Sequence, residues 1–449
     1  MSLSRRDVLA GIALSPMGLR AAATAPDFRS LAPTPPMGWN SWDCYATTID
    51  EETALANAAV MAEKLLPHGY NVFTIDAQWY EPLANGFEYR KDAELSMDQW
   101  GRLIPASNRF PSAAAGAGFR PLADTLQRMG LKFGIHMLRG VPRLAAQRNL
   151  PILGTRHRCG EIADRVNVCQ WNSDMYGIDM TRPGAQAYYD SVIALYASWG
   201  VDFLKADDMS RPYVRNEPEI HAVRRAIDRT RRPMVLSLSP GETPLAAADD
   251  VVQNANLWRI SDDFWDTWPL LLEQFERLKN WSAHQRVGNW PDADMLPLGT
   301  LELGHRTRRF TPDEQVTVMS LWSIARSPLI VGAALTLLDE ATLALLTNDE
   351  VLAVNQASHG NREVYRRDNL VVWQAGSPQG GVYVAMFNLN EAAPGASEAR
   401  VPVQLSELGI SAPVRVRDLW RRSDLDTANN SFAPQIRCHG AGLFRLTPV

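Results

Sequence analysis

Apolar positions along this chain fall into short runs that alternate with segments of helical spacing. After a Pro-containing lead-in at 26–34, the aromatic-rich stretch 35–43 reads as a first strand and its exit loop. Residues 51–66 have helical spacing and stop near Pro67 and Gly69. A β-rich run at 70–75 ends on Asp76, and a long connection from Trp79 to Arg120 leaves its C-terminal side. Further strands are expected at 132–138, 201–205, 233–238, 256–260 and 328–331, with a seventh exit at 287–296. Helices are expected at 121–129, 184–199, 214–229, 268–280 and 314–324. This succession predicts an α/β fold, a (β/α)8 TIM barrel. An open doubly wound sheet shares the alternation, but no Gly-rich phosphate turn supports it.

The pattern changes after about residue 355, where short strands at 364–366, 370–374, 381–387, 400–405, 414–418 and 443–446 alternate with turns. They predict a small C-terminal antiparallel β-sandwich domain. The expected organisation is a leader at 1–25, a catalytic barrel at 26–357 and an all-β domain at 358–449. The 449 residues exceed one ordinary core and suit a barrel of roughly 250 residues or more with a smaller partner.

Composition changes the picture at the N-terminus. Arg5-Arg6 precede a modest apolar run, and Ala23-Thr24-Ala25 forms a small-residue cleavage site. Together they predict a twin-arginine export signal and a periplasmic or secreted protein starting near Pro26. No later stretch is apolar for ~18 residues, so no membrane span is expected. The formal charge is −5 and does not suggest a nucleic-acid partner. Of four cysteines, Cys159 and Cys169 lie in a loop-like stretch and could pair after export; none has zinc-site spacing.

Polar residues at strand C-termini are a barrel's candidates for chemistry. Here they are Trp39 and Trp42, Asp76, His136, Lys205 and Asp207, Arg259 and Asp263, then Asp292 and Asp294. Carboxylates with aromatic platforms suit sugars, because hydroxyls take charge-assisted hydrogen bonds and C–H faces stack on indole. Neither a metal nor a cofactor is expected from this set. Alternation puts Lys205 and Asp207 on one strand face, so the lysine is expected to keep Asp207 ionised, as a glycosidase nucleophile requires. Arg259 and Asp263 share a face in the same way. Asp208 rivals Asp207 and Asp262 rivals Asp263; Asp292 suits a loop cap as well as a sugar contact.

Several motifs occur in order: Pro35-Pro36-Met37-Gly38-Trp39-Asn40-Ser41-Trp42, Leu131-Lys132-Phe133-Gly134-Ile135, Trp199-Gly200-Val201-Asp202-Phe203-Leu204-Lys205-Ala206-Asp207, Trp258-Arg259-Ile260-Ser261-Asp262-Asp263 and Trp290-Pro291-Asp292-Ala293-Asp294-Met295-Leu296. Over residues 33–446 the chain resembles glycoside hydrolase family 27, the α-galactosidase and α-N-acetylgalactosaminidase family. The resemblance implies Asp207 as nucleophile and Asp263 as acid/base. Trp42, Asp76, Lys205, Arg259 and Asp294 would line the sugar subsite, with His136 a further substrate contact. It implies a retaining exo-hydrolase acting on oligo- or polysaccharides with terminal α-galactosyl groups.

Three departures bear on specificity. Asp76 is followed by Ala77 where the family usually has a second acid, His136 stands where a Tyr is common, and Ser239-Pro240-Gly241 replaces a Cys-Glu-Trp type segment. Alternative specificities are β-L-arabinopyranosidase, α-N-acetylgalactosaminidase or an isomalto-dextranase-like activity. A non-catalytic carbohydrate-binding protein is the alternative outside the enzyme class.

Overall fold

The computed structural model describes residues 27–393 and 397–449. The twin-arginine segment therefore lies outside the described residues. Eight parallel strands form one curled sheet: β1 (Met37–Asn40), β2 (Val72–Ile75), β3 (Lys132–Leu138), β4 (Phe203–Asp207), β5 (Val235–Leu238), β6 (Leu257–Arg259), β7 (Trp290–Asp292) and β8 (Leu329–Val331). Their order is β7-β6-β5-β4-β3-β2-β1-β8. A parallel bridge from Leu296, just beyond β7, to Val331 closes the ring. Every residue of β1, β2, β5 and β7 is buried, which is why these strands read as continuous rather than alternating apolar runs. At Gly38 a Cβ would lie 2.1 Å from the Val72 carbonyl oxygen, so only glycine lets β1 approach β2 this closely.

The outer helices are α1 (Glu51–Val60), α2 (Arg120–Arg128), α3 (Ala185–Trp199), α4 (Tyr213–Thr230), α5 (Ala248–Asn254), α6 (Trp268–Trp281), α7 (Pro312–Ala325) and α8 (Asp349–Ala357). Asp50 caps α1 through the Thr53 amide, and Thr311 with Glu314 forms a capping box at α7. The short α5, absent from the sequence reading, fills the gap between β5 and β6. Residues 139–182, a long excursion between β3 and α3, contain a small three-stranded sheet of Val141–Pro142, Ala163–Asp164 and Met175–Ile178. β4 begins two residues later than expected because Asp202 turns outward to Arg232 and Gln127. Among the described residues no helix is long and apolar enough to cross a membrane.

Beyond α8 a six-stranded antiparallel sheet follows: β9 (His359–Arg367), β10 (Leu370–Gly376), β11 (Val382–Asn388), β12 (Val414–Asp418), β13 (Ser423–Ala428) and β14 (Ala441–Pro448). The single strand expected at 400–405 is instead two fragments, Glu398–Arg400 and Val403–Gln404, each paired elsewhere. Polar, exposed β13 is an edge strand and gave no apolar signal. This domain packs on α6 and α7: His439 stacks on Trp268 at 3.7 Å and bonds Glu314, while Trp420 donates to Ser320.

Cys159 and Cys169 do not pair; both are buried free thiols. Cys159 opens a short helix against the Trp100 carbonyl, whereas Cys169 faces the charges of Asp207 and Asp208. They belong to different sides of the excursion.

Candidate active site

The strand C-termini converge on a cavity of about 380 Å³. Its inner wall carries Asp76, Lys205, Asp207 and Arg259; Trp42, Tyr89 and Met295 flank them, and Asp263 stands at the mouth. Of the eight site residues expected from sequence, the structure brings six to the cavity wall. The other two, His136 and Asp294, sit behind it and hold wall residues from the back.

Asp207 ends β4, and three donors fix its carboxylate. The Asp208 amide (3.1 Å) and Ser239 hydroxyl (3.0 Å) reach Oδ1, and His136 Nε2 lies 3.1 Å from Oδ2. Burial would raise its pKa, but the His136 hydrogen bond, the Lys205 charge and the Ser239 bond more than offset this and hold the group ionised, well below the usual range. Lys205 itself does not bond Asp207. Its Nζ donates to Asp76 Oδ2 at 2.8 Å, so the same-face expectation holds for charge but not for contact.

Strand register explains the difference. Ile75 pairs with Ile135, and His136 pairs with Lys205, which pairs with Ser237. Asp76, following Ile75, thus shares a layer with His136 and Lys205, while Asp207 lies one layer nearer the mouth. Asp76 also accepts from Asn40 Nδ2 at 2.7 Å and is held ionised against its burial chiefly by Lys205.

His136 is 1% exposed, and its Nδ1 has no protein partner. It lies beneath Asp207 and does not face the cavity. Asp294 is 4% exposed; it binds Arg259 Nη1 at 2.8 Å and accepts the Phe264 amide at 2.8 Å. Arg259 extends its other nitrogen, Nη2, to Asp263 at 3.2 Å. Asp292 accepts the Asp294 amide at 2.9 Å and thereby caps its own loop. Trp39 is a filler: its ring is fully buried and its Nε1 donates to the Ala333 carbonyl.

The rival carboxylates are placed differently, and only Asp262 lines the cavity. Asp208 turns into the protein to Arg139. Asp262 lies at the rim, held by Arg211 at 2.8 Å.

Five buried carboxyl groups, Asp43, Asp76, Asp207, Asp292 and Asp294, lie near Lys205 and Arg259, and their surroundings push them in different directions. Asp76 and Asp207 are held ionised. Burial raises the pKa of Asp43, Asp292 and Asp294, further raised at Asp43 by Asp294 and Asp263 and partly offset at Asp292 and Asp294 by Arg259. The site thus holds a charged inner pair, Asp76 and Asp207, beside three buried carboxyls, Asp43, Asp292 and Asp294, that are biased toward neutrality.

Sequence reasoning found Trp42 but missed the rest of the aromatic wall. Trp42 stacks on Tyr89 at 5.9 Å and meets Phe87 edge-on, Phe87 meets Trp265, and Tyr89 contacts Trp171. These rings come from four separate strand-exit loops, and the irregular Trp79–Arg120 connection offers no periodicity to mark its two. Ser239 was also missed as a partner of Asp207. Gly241 permits its loop to lie there, since a Cβ would sit 1.9 Å from the Ser261 carbonyl oxygen.

Comparison with known proteins adds independent support. Residues 171–357 match the family model described as alpha galactosidase A, and residues 367–446 match the alpha galactosidase C-terminal β-sandwich domain. The structure superposes on a family 27 β-L-arabinopyranosidase from Geobacillus stearothermophilus with a TM-score of 0.91 and 48% identity, covering 95% of this chain and 99% of that one. A protein from Bacillus halodurans described as a putative α-N-acetylgalactosaminidase gives a TM-score of 0.83 at 46% identity, covering 92% of this chain and 97% of that one. The α-galactosidase of Coffea arabica is 28% identical over 92% of this chain and 94% of its own. A barrel with paired strand-end carboxylates, an antiparallel C-terminal domain and near-full-length similarity at this level make the chain a member of glycoside hydrolase family 27, an O-glycosyl hydrolase.

Proposed function

We propose that the protein is a retaining exo-glycosidase for terminal galacto-configured pyranosides, with β-L-arabinopyranosides preferred over α-D-galactosides. Asp207 is the nucleophile and Asp263 the acid/base. Asp207 attacks the anomeric carbon as Asp263 protonates the departing glycosidic oxygen; the C–O bond breaks and a glycosyl ester forms. Asp263 then takes a proton from water, which attacks the same carbon and releases Asp207. Asp76 and Lys205 bind ring hydroxyls, and Trp42 takes the apolar face of the sugar.

The observation that carries the preference is the single carboxylate after β2. Asp76 is followed by Ala77, apolar and 2% exposed. A β-L-arabinopyranoside is an α-D-galactoside without the hydroxymethyl group on C5, and we take that group as the one a second acid at residue 77 would serve. The similarity to the Geobacillus arabinopyranosidase, at 48% identity, supports the same reading. The α-galactosidase reading draws on the curated plant relatives, which are 26–28% identical.

Nitrophenyl glycosides test it. The wild type is expected to favour the β-L-arabinopyranoside by about 10-fold or more in kcat/KM, the scale of one unpaired hydroxyl. Ala77→Asp is expected to narrow that ratio. A wild type that prefers the α-galactoside makes the enzyme an α-galactosidase using the same carboxylates.

We further propose export through the twin-arginine leader. Arg5→Lys combined with Arg6→Lys is expected to leave precursor in the cytoplasm, read by fractionation and immunoblot; normal export of the double variant excludes this route.

A further inference from the structure

Behind Asp207 lies a buried charge cluster that the proposed chemistry does not use. Arg139 follows β3 directly, and its guanidinium is 1% exposed. Nε donates to the Asp208 carbonyl oxygen at 2.9 Å and, with Nη2 at 2.7 Å, to the Asp208 carboxylate. Nη1 donates to Glu219 on α4 at 2.6 Å, and the Tyr189 hydroxyl closes on the same carboxylate. Asn216 of α4 donates to the Asp208 carbonyl as well, at 2.9 Å. One arginine and one asparagine therefore grip both the backbone and the side chain of a single residue.

That residue has an uncommon backbone. Asp208 adopts φ +59°, the left-handed region that costs an L-residue energy unless its surroundings over-determine it. The Asp208 amide donates to Asp207 Oδ1, while the Arg139 amide bonds the Asp207 carbonyl oxygen at 3.0 Å. The two peptide groups that flank Asp208 are thus both tied to Arg139, the one shared with Asp207 through the Arg139 amide and the one that follows through its guanidinium. Room for the guanidinium is specific too: a Cβ at Gly177 would lie 2.6 Å from Arg139 Nη1.

We propose that Arg139 is a positioning residue for the reaction, acting through Asp208 to fix the carboxylate of Asp207 in its attacking orientation. The inference rests on the assignment of Asp207 as nucleophile. Asp208 serves as the lever: its carboxylate is the handle that Arg139 holds, and its amide is the point that touches Asp207.

Asp208→Gly separates this from a plain turn role. Glycine takes the left-handed conformation freely, so a residue needed only for the turn tolerates the change. With Asp208 as a lever, Asp208→Gly and Arg139→Gln are expected to lower kcat about 10- to 100-fold with KM within about twofold, the cost of a nucleophile displaced by a fraction of an ångström. Asp208→Asn keeps an acceptor for Arg139 and is expected to recover part of the loss.

A 2-deoxy-2-fluoro-β-L-arabinopyranosyl or α-galactosyl inactivator with an aryl leaving group keeps the two readings apart. Peptide mass spectrometry of the wild type places the label on Asp207; a label elsewhere overturns the nucleophile assignment. With the label on Asp207, slower trapping by Asp208→Gly supports the positioning role, and trapping at the wild-type rate overturns it. Should Arg139→Gln fail to fold, as a buried unpaired acid can cause, Asp208→Gly decides alone, with its thermal unfolding confirming a folded protein.

Discussion

Asp207→Asn is expected to lower kcat by at least about 10⁴-fold while sugar binding stays measurable by calorimetry. The size follows from what the carboxylate does in the proposed mechanism. It supplies the bonding electron pair, and an amide offers neither the charge nor a stable ester. Binding survives because the ring contacts lie elsewhere, on Asp76, Lys205 and Trp42 around the same cavity. The amide also fits the pocket poorly. Asp207 accepts from the Asp208 amide, from Ser239 and from His136, so an NH₂ group must face a donor unless His136 changes tautomer. Asp208→Asn is expected to be far milder, since Asp208 faces Arg139 and not the sugar. Near-normal turnover by Asp207→Asn, or a deeper loss from Asp208→Asn, would remove Asp207 from the centre of the mechanism.

Much of the barrel is legible in the chain because its strands are short apolar runs ending in polar groups. Val201–Asp207 and Trp258–Asp263 announce both the strands and the side chains they deliver. Alternation along one strand is a local rule, and it correctly places Lys205 and Asp207 on one face. Register between strands is not local. Only the pairing of β2, β3 and β4 puts Lys205 beside Asp76 and sends His136 beneath Asp207. Depth is equally hidden: Asp294 and Asp263 both follow strand ends, yet one is buried against Arg259 and the other half-exposed. The loops were the least legible part. Tyr89 and Trp171 reach the cavity, and Phe87 reaches Trp42, from segments whose conformation is set by tertiary contact, so no periodicity points to them. Arg139 and Asp208 carry a clue that can be read only after folding, because a left-handed aspartate after a strand end looks like any other Asp-Asp pair in sequence.

Asp263→Ala is expected to divide substrates by leaving group. Asp263 lies at the mouth of the cavity with its side chain 57% exposed, where it can meet both a departing oxygen and incoming water. Arg259 anchors on Asp294 at 2.8 Å and reaches Asp263 only at 3.2 Å, so Asp263 is tethered without being buried. Glycosides with poor leaving groups need protonation and are expected to lose about 10²- to 10⁴-fold in kcat/KM, the usual range for a general acid. Dinitrophenyl glycosides leave unaided, so their first step survives; the glycosyl ester then accumulates and KM falls with kcat. Azide needs no general base. Added azide is expected to restore turnover of the activated substrate and give a glycosyl azide of retained configuration. Retention in turn requires the two carboxyl groups about 5–5.5 Å apart in the sugar complex, against ~6.5–9.5 Å for single-step inversion. Proton NMR of the wild-type reaction reads the outcome directly: the first free sugar should carry the substrate's anomeric configuration. An inverted first product would show that water attacks the substrate itself, and Asp207 would then be a base and not a nucleophile.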